Sequence, residues 1–322
     1  MRNIEKADFL QTLESTRRDF QKGYYAMYSS IFGGIVTDPV LMLIPVDDHL
    51  VHRGDGVFET LKCMDGSIYN MKAHFDRLST AITRLDYHVK FSLVELGGFA
   101  AGTIRAGGHR DCLVRVLLSR GPGGLGVNPY ECPQAHVHVI ASSLPPSFMK
   151  AHPGGARVAT SSIPAKHSFF AVIKACNYLP NVLMKKEAVD KAVDFVAGFD
   201  EHGYLAEGAT ENFGIVTHDK RLLFPKADHI LPGTTMLRAA KLAEMLVKGG
   251  VLKEIGFTDI SARDVTGAAE VLILGTTPDV TAVIEFDGRK VGDGTPGPVQ
   301  QALYALLDHD MRANPAMLTR VL

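Results

Sequence analysis

The sequence has 322 residues, no tryptophan, only four cysteines and no excess of charge of either sign. Its 34 Lys and Arg residues nearly balance 35 Asp and Glu residues, which argues against the basic surface typical of nucleic-acid-binding proteins. Four cysteines without a C-x-x-C pair do not make a disulfide scaffold, which favours a reducing, cytoplasmic location. The sequence also lacks a signal peptide and any apolar run long enough to span a membrane, so we expect no membrane partner.

The sequence does contain enough apolar material for two cores. Hydrophobic residues make up 46% and charged residues 21%, and the length suggests about two domains. Strand-like and helix-like segments come in separate blocks in both halves, which predicts an α+β fold with mainly antiparallel sheets. A stretch rich in Pro and Gly near residue 150 breaks both periodicities. We predict a helical extension, a small α/β domain, a linker and a large domain, at residues 1–30, 31–145, 146–156 and 157–322.

Local patterns predict individual elements along the chain. Residues 3–22 carry apolar side chains at helical spacing, which predicts an amphipathic helix. The runs IFGGIVTD and LMLIPVDD are typical of strands, and VFETLKCMDGSIYNM predicts a hairpin that turns at Asp65-Gly66. Helices are predicted over about 72–86, 92–105 and 296–310.

Two patterns suggest other chemistry but are weak. The segment GPGGLG at 121–126 matches the dinucleotide-binding fingerprint, yet Pro129 and Pro133 exclude the helix that must follow it. His136 and His138 share one face of a predicted strand, but no third ligand at a recognisable spacing accompanies them. We therefore predict neither a nucleotide site nor a metal site.

The segments that point to a function are spread through the chain. They are HRGDGVFETLKCMDGSIYNMKAHFDRL (52–78), IKACNYLPNVLMKKEA (173–188), YLAEGATENFGIV (204–216), ILPGTTMLRAAKLA (230–243) and LILGTTPDVTAV (273–283). In this order they resemble the class IV aminotransferases, which are pyridoxal-5′-phosphate (PLP) enzymes of fold type IV. Stretches outside these motifs, such as TSSIPAK and VKGGVLKEI, are similar to the plant-type D-amino-acid transaminases.

The resemblance assigns the centre of the chemistry to a lysine and a glutamate. Lys174 has apolar neighbours, and burial favours the neutral amine that attacks an aldehyde. The family match implies that Lys174 carries PLP as a Schiff base and shuttles the substrate proton. Glu207 matches the partner of the pyridine nitrogen, which must be protonated for PLP to act as an electron sink. By the same resemblance, Thr210 and Asn212 accompany Glu207, and Tyr178 approaches the ring hydroxyl.

The cofactor phosphate needs hydrogen-bond donors. The resemblance assigns it to Arg77, whose planar guanidinium suits phosphate oxygens. Thr234 and Thr235 open a predicted helix, and a helix N-terminus offers free N–H groups to an anion. Thr276 and Thr277 match a family turn that meets both the phosphate and the substrate carboxylate.

The substrate pocket is less clearly defined. Phe58 and Glu59 align with pocket residues, Arg53 replaces a pocket tyrosine of the branched-chain enzymes, and Arg115 resembles the branched-chain pattern. The bacterial D-amino-acid enzymes hold the α-carboxylate with an arginine, and Leu125 occupies that position here. The carboxylate-binding arginine is therefore missing, or its role is taken by Arg53, Arg120, Lys166 or His167.

Three activities fit the resemblance. The first is transfer of an amino group from a small D-amino acid such as D-alanine to a 2-oxo acid, with Arg53 contributing to carboxylate binding. The second is an aminotransferase for branched-chain or other L-amino acids, favoured by Arg115 and the sequence GVNP. The third is a lyase of the aminodeoxychorismate type. The resemblance also implies a homodimer.

Overall fold

The structure is a computed structural model that describes residues 2–322. The chain forms two compact units, each assembled from separate segments. The first unit contains the chain up to Leu144, with Ala175–Asn177 and Leu318–Leu322, and the second contains Pro145–Lys174 and Tyr178–Met317.

The first unit is built around an antiparallel sheet with helices. Its strands are β1 (Tyr24–Ser29), β2 (Gly34–Val36), β3 (Gly56–Met64), β4 (Ser67–Tyr69), β5 (Cys112–Ser119) and β6 (His136–Ser142). Its helices are α1 (Phe9–Glu14), α2 (His49–Arg53), α3 (Met71–Arg84) and α4 (Leu93–Gly107), with 3-10 turns at Lys6–Asp8, Asp19–Gly23, Pro39–Leu41 and Pro129–Glu131. These strands have the order β4-β3-β5-β6-β1-β2.

The β3–β4 hairpin turns where the sequence predicts it. Asp65 and Gly66 both have left-handed backbone angles, with φ of 51° and 73°. That pair of conformations defines the two-residue turn that matches the twist of antiparallel strands. Helix α3 follows directly and buries Phe75 and Leu78 in the core. This part of the prediction is confirmed.

Two local predictions in the first unit are wrong. The helix predicted over 3–22 is limited to α1 and short 3-10 turns, and Tyr24–Ser29 is a strand rather than the end of a helical extension. Strand β1 pairs with both β2 and β6, so residues 24–29 belong to the sheet. The run LMLIPVDD forms no strand, because Pro39 opens a 3-10 turn and Pro45 has no N–H to donate to a sheet.

The second unit contains a larger, mixed sheet. Its strands are β7 (Ala156–Thr160), β8 (Phe195–Ala197), β9 (Asn212–Val216), β10 (Arg221–Pro225), β11 (Glu254–Thr258), β12 (Glu270–Gly275), β13 (Asp279–Phe286) and β14 (Arg289–Lys290). Its helices are α5 (Phe148–Ala151), α6 (Ser168–Ala171), α7 (Leu179–Asp190), α8 (Thr234–Lys248), α9 (Ala262–Thr266) and α10 (Pro298–Ala313), with a 3-10 turn at Pro315–Met317. The order is β11-β10-β9-β12-β13-β7-β8, and β14 pairs with β13.

Most strand pairs are antiparallel, and the pairs β10–β11, β13–β7 and β7–β8 are parallel. The predicted α+β class with mainly antiparallel sheets is therefore confirmed. The segment predicted as a linker at 146–156 includes α5, whose Phe148 packs against Phe195 with ring centres 5.1 Å apart. Its Pro and Gly residues thus mark turns around a packed helix. No helix within the described residues is both long and apolar enough to cross a membrane.

The chain returns to the first unit at its end. Strand β15 (Leu318–Arg320) pairs with β4, so Leu318 lies opposite Tyr69 and Arg320 opposite Ser67. The domain prediction placed these residues in the large domain. A three-residue strand carries too little pattern to reveal which sheet it joins.

Candidate active site

Lys174 lies in the second unit, between α6 and α7. The preceding residue, Ile173, is buried, and Lys174 is partly buried, as its apolar context predicts. Its Nζ donates a hydrogen bond of 3.5 Å to the hydroxyl oxygen of Tyr178 and lies 5.9 Å from the centre of that ring. The structure therefore brings together the lysine and the tyrosine that the sequence indicated.

The backbone of one residue, Leu231, holds Glu207 and Asn212 in place. The N–H of Leu231 donates to Oε2 of Glu207 at 3.0 Å, and its carbonyl accepts from Nδ2 of Asn212 at 2.9 Å. The backbones of Glu207 and Asn212 also pair as an isolated bridge. Sequence reasoning missed Leu231, because a backbone contact leaves no signal in the side-chain type.

The surroundings of Glu207 favour its use beside a cationic ring nitrogen. Burial raises the pKa of the Glu207 carboxyl, and the positive charge of Lys166, the N–H of Leu231 and the charge of Lys174 oppose that rise. A protonated pyridine beside this carboxyl group would stabilise its charged form. The carboxylate would in turn stabilise the protonated pyridine. Glu207 is therefore suited to the role that the sequence assigned to it.

The predicted threonines lie close to Asn212. Strand pairing puts Leu274 opposite Asn212, so the turn that follows β12, with Thr276 and Thr277, lies at the same end of the sheet. Gly233 caps the fifteen-residue helix α8, and a Cβ there would lie 1.8 Å from Oδ1 of Asn212. Glycine is thus required for this close approach.

The first turn of α8 offers a setting for an anion. Thr234 is buried and Thr235 is partly buried, both at the end of the helix where backbone N–H groups point away from the helix body. Together with Lys174 and Glu207, this turn gives the second unit an amine, a carboxyl group and an anion-binding helix end. These are the groups that PLP requires, so the residues fit that cofactor.

Thr210 has a partner that the sequence did not predict. Glu211 accepts a hydrogen bond of 2.5 Å from the Thr210 hydroxyl and one of 3.0 Å from its backbone N–H. On the neighbouring helix, Nδ2 of Asn181 donates to the carbonyl oxygen of Ala209 at 2.5 Å. Thr210 is exposed, and its hydroxyl proton is directed to Glu211. These contacts support the loop of Glu207 from both ends.

In the first unit, Arg77 is held by Glu59. Its Nε and Nη2 donate to the two carboxylate oxygens at 2.8 and 2.7 Å, and His74 contacts Oε2 at 2.7 Å. Burial alone would raise the pKa of Glu59, but the charge and hydrogen bonds of Arg77, helped by His74, lower it to about 2. The spacing of His74 and Arg77 on one helix face could have indicated a shared partner.

This arrangement corrects the prediction for Glu59. Its side chain is 1% exposed and both its oxygens are engaged. Such a carboxylate orients Arg77 and offers no surface to a substrate. Phe58 points to the other face of the sheet, where the guanidinium of the exposed Arg115 lies 5.8 Å from its ring centre.

Arg53 and Arg120 are both occupied within the first unit. Arg53 donates from Nε to the carbonyl of Gly126 at 2.9 Å, from Nη2 to that of Leu125 and from Nη1 to that of His52 at 2.9 Å. In this structure Arg53 fastens the loop through these bonds, and its contribution to carboxylate binding stays a prediction. Arg120 donates to Asp55 at 2.5 Å and to two backbone carbonyls of the loop after α3.

Comparison with known proteins identifies the family. The family model for amino-transferase class IV matches residues 56–286. The chain belongs to the class IV aminotransferases. It is accordingly a PLP-dependent enzyme that transfers amino groups, and its fold and cofactor agree with the sequence prediction.

Curated relatives within the class IV aminotransferases differ in substrate. The chain is 37% identical over 295 residues to a D-amino-acid transaminase, chloroplastic, of Arabidopsis thaliana, covering 91% of this chain and 78% of that protein. It is 29% identical over 260 residues to a putative branched-chain-amino-acid aminotransferase of Methanocaldococcus jannaschii. That match covers 81% of this chain and 88% of that protein.

Solved structures of class IV aminotransferases share the fold. A T.th. branched-chain amino acid aminotransferase, complexed with N-(5′-phosphopyridoxyl)-L-glutamate, superposes with a TM-score of 0.84 at 28% identity. The match covers 93% of this chain and 99% of that one. The Escherichia coli branched-chain enzyme has a TM-score of 0.83 at 25% identity, and the match covers 92% of this chain and 99% of that one.

Proposed function

We propose that this class IV aminotransferase transfers the amino group of a small D-amino acid, such as D-alanine, to a 2-oxo acid such as 2-oxoglutarate. The observation that carries the proposal is the 37% identity, over 91% of the chain, to the Arabidopsis thaliana D-amino-acid transaminase. The branched-chain relatives cover less of the chain, at 29% to 30% identity.

Lys174 has the central role in this proposal. Its amine would hold the cofactor by its aldehyde carbon and would carry a proton between that carbon and the substrate α-carbon. One amine beside both carbons can act first as base and then as acid. When bound, PLP draws electrons away from the substrate α-carbon. The hydroxyl of Tyr178, 3.5 Å from Nζ, restricts where the amine lies.

The remaining cofactor contacts follow from the family pattern. Glu207 pairs with the pyridine nitrogen, and Asn212 keeps the adjacent backbone in place through Leu231. Arg77, Thr234, Thr235 and Thr276 bind the phosphate, and Thr210 supports the loop beside Glu207. Glu59 fixes the guanidinium plane of Arg77, which a phosphate needs for paired hydrogen bonds.

An aminotransferase for branched-chain L-amino acids is the second candidate. Arg115 and Phe58 support it, because they share one exposed face of the sheet and match the branched-chain pattern. Thr277, in the turn after β12, would then contribute to holding the carboxylate. A lyase of the aminodeoxychorismate type is a third outcome that the same test distinguishes.

An amino-donor screen with both enantiomers tests the proposal. We expect purified, PLP-loaded enzyme to form pyruvate from D-alanine and glutamate from 2-oxoglutarate, with slower conversion of L-alanine. Conversion of L-leucine or L-valine without D-alanine activity would show a branched-chain enzyme. Pyruvate release from aminodeoxychorismate without any transamination would show a lyase.

The cofactor lysine has its own test. We expect visible absorption by the purified protein, and borohydride treatment should fix the cofactor on the peptide that contains Lys174. The control is Lys186→Ala, which changes an exposed lysine paired with Asp190. A label on Lys185 or Lys186, or visible absorption retained by Lys174→Ala, would contradict the assignment.

The expected assembly is a homodimer in the cytoplasm. Helix α7 leaves four apolar side chains exposed at helical spacing, Leu179, Val182, Leu183 and Val189, and a second copy could cover them. Light scattering should give the mass of two chains. A monomer at working concentration would exclude the dimer.

A further inference from the structure

Leu125 stands where the bacterial D-amino-acid enzymes carry the arginine that binds the substrate carboxylate. Of the candidates to replace it, Arg53 and Arg120 use their guanidinium groups on carbonyl oxygens and Asp55. The ring of His167 accepts from the N–H of Phe169 at 3.4 Å, as the cap of α6. Each of these three side chains already has a local structural role.

Lys166 differs from all three. It lies in the second unit, in the segment between β7 and α6, and is partly buried. Across residues 2–322 it makes neither a hydrogen bond nor an ion pair, and its Nζ lies 5.1 Å from the centre of the Tyr178 ring. Lys174 approaches the same ring from 5.9 Å. The side-chain nitrogens of both lysines thus lie near one aromatic side chain.

Electrostatics place Lys166 at the candidate active site as well. Burial raises the pKa of Glu207, and nearby positive charges lower it. The charge of Lys166 lowers this pKa more than the charge of Lys174 does. A partly buried ammonium group without a hydrogen-bonded counter-ion is costly, so an incoming anion would be stabilised beside it. The carboxyl of Glu207 already accepts from Leu231.

The substrate supplies a suitable anion. An amino acid must place its α-carbon beside Lys174 for proton transfer, and its carboxylate is one bond from that carbon. The group that binds the carboxylate must therefore lie near Lys174. Lys166 is near enough, because both lysines approach the ring of Tyr178. We propose that Lys166 binds the α-carboxylate of the amino-acid substrate and thereby determines substrate specificity. This inference rests on the proposed transaminase function.

The position of the carboxylate bears on handedness. If the hydrogen of the α-carbon points to Lys174, exchanging the sites of carboxylate and side chain exchanges the enantiomer that fits. Binding at Lys166, rather than at the turn of Thr276 and Thr277, therefore selects one enantiomer. Loss of Lys166 should weaken binding of the preferred enantiomer more than binding of the other enantiomer.

The first arm of the test measures binding without turnover. Propanoate is D-alanine without its amine, so it reports carboxylate binding alone, through the change in visible absorption of PLP-loaded enzyme. We expect Lys166→Ala to raise the dissociation constant of propanoate about tenfold to hundredfold, as for loss of a hydrogen bond to a charged group. Lys166→Arg should restore most of the affinity, and Lys186→Ala should behave as the wild type.

The second arm measures steady-state kinetics. We expect Lys166→Ala to raise KM for D-alanine by a similar factor, with kcat changed less than about threefold. Unchanged propanoate binding in Lys166→Ala, with a shifted pH profile of the cofactor absorption, would overturn the inference and assign Lys166 to the electrostatics of Glu207. Wild-type enzyme that transaminates no D-amino acid would contradict the proposed function instead, and the propanoate arm would still test Lys166.

Discussion

Glu207 and Arg77 are charged residues assigned to opposite ends of the cofactor, and their surroundings differ accordingly. Glu207 is desolvated and held by one backbone donor, whereas Arg77 is fixed by two hydrogen bonds to the buried Glu59. The surroundings of Glu207 affect protonation of the pyridine nitrogen. The contacts of Arg77 fix the orientation of its guanidinium N–H groups. Substitutions at the two positions should therefore have different effects.

Arg77→Lys keeps a positive charge but removes the planar fork. We expect the dissociation constant of PLP to rise about tenfold or more. Glu207→Gln should retain the cofactor but slow the half-reaction with amino donor, because an amide does not stabilise a protonated pyridine nitrogen. Equilibrium dialysis of PLP and stopped-flow absorption separate the two results. Equal loss of cofactor in both variants would contradict this division.

Glu59 should also contribute to stability in a pH-dependent way. Its pKa is lowered to about 2, so its stabilisation is present above the unfolded-state pKa near 4.5 and is lost as the pH falls towards 2. We expect wild type to exceed Glu59→Gln in free energy of unfolding at pH 7, and the difference to shrink by about 3 kcal/mol at pH 2. Urea unfolding at several pH values measures this, with the exposed Glu5→Gln as control. A difference independent of pH would refute it.

At the scale of elements, the sequence predicts best where one local feature decides the structure. The Asp65-Gly66 turn and the helices α3, α4, α8 and α10 carry their own signals and form as predicted. The run LMLIPVDD has strand composition, but Pro45 removes a donor that a sheet needs, and the 3-10 turn that begins at Pro39 includes the first residue of the run. The same limit applies to the site, since Lys174 and Glu207 follow from motifs whereas the contacts of Leu231 and Lys166 depend on distant residues.

The β3–β4 turn provides a test of an element. Gly66 has φ of 73°, and a Cβ there would lie 2.7 Å from Cβ of Leu322. Gly108 has φ of 72° with open space around it. We expect Gly66→Ala to lower the free energy of unfolding by about 1–2 kcal/mol because of its backbone angle, and by a further 1–3 kcal/mol because of the clash. Gly108→Ala should lower it only by the amount due to the backbone angle. Chemical denaturation compares them, and equal losses would argue against the contact with Leu322.

For the whole molecule, the last five residues complete the first unit. Strand β15 covers β4, and the N–H groups of Val321 and Leu322 donate to the carbonyl of Gly66 at 2.9 and 3.1 Å. Truncation after Met317 should lower the free energy of unfolding by about 2 kcal/mol from the buried Val321 alone. Deleting residues 2–6, which are exposed, is the matched control. A truncated chain with unchanged thermal unfolding would show that β15 is dispensable.

The position of β15 has a consequence for how the protein is made. A ribosome synthesises β4 about 250 residues before β15, the strand on its outer side, since β4 ends at Tyr69 and β15 begins at Leu318. Until β15 leaves the exit tunnel, the nascent first unit has an open sheet edge of the kind that other chains can pair with. The second unit is translated in that interval, so fast elongation shortens the period of exposure, and a pause before β15 is synthesised lengthens it.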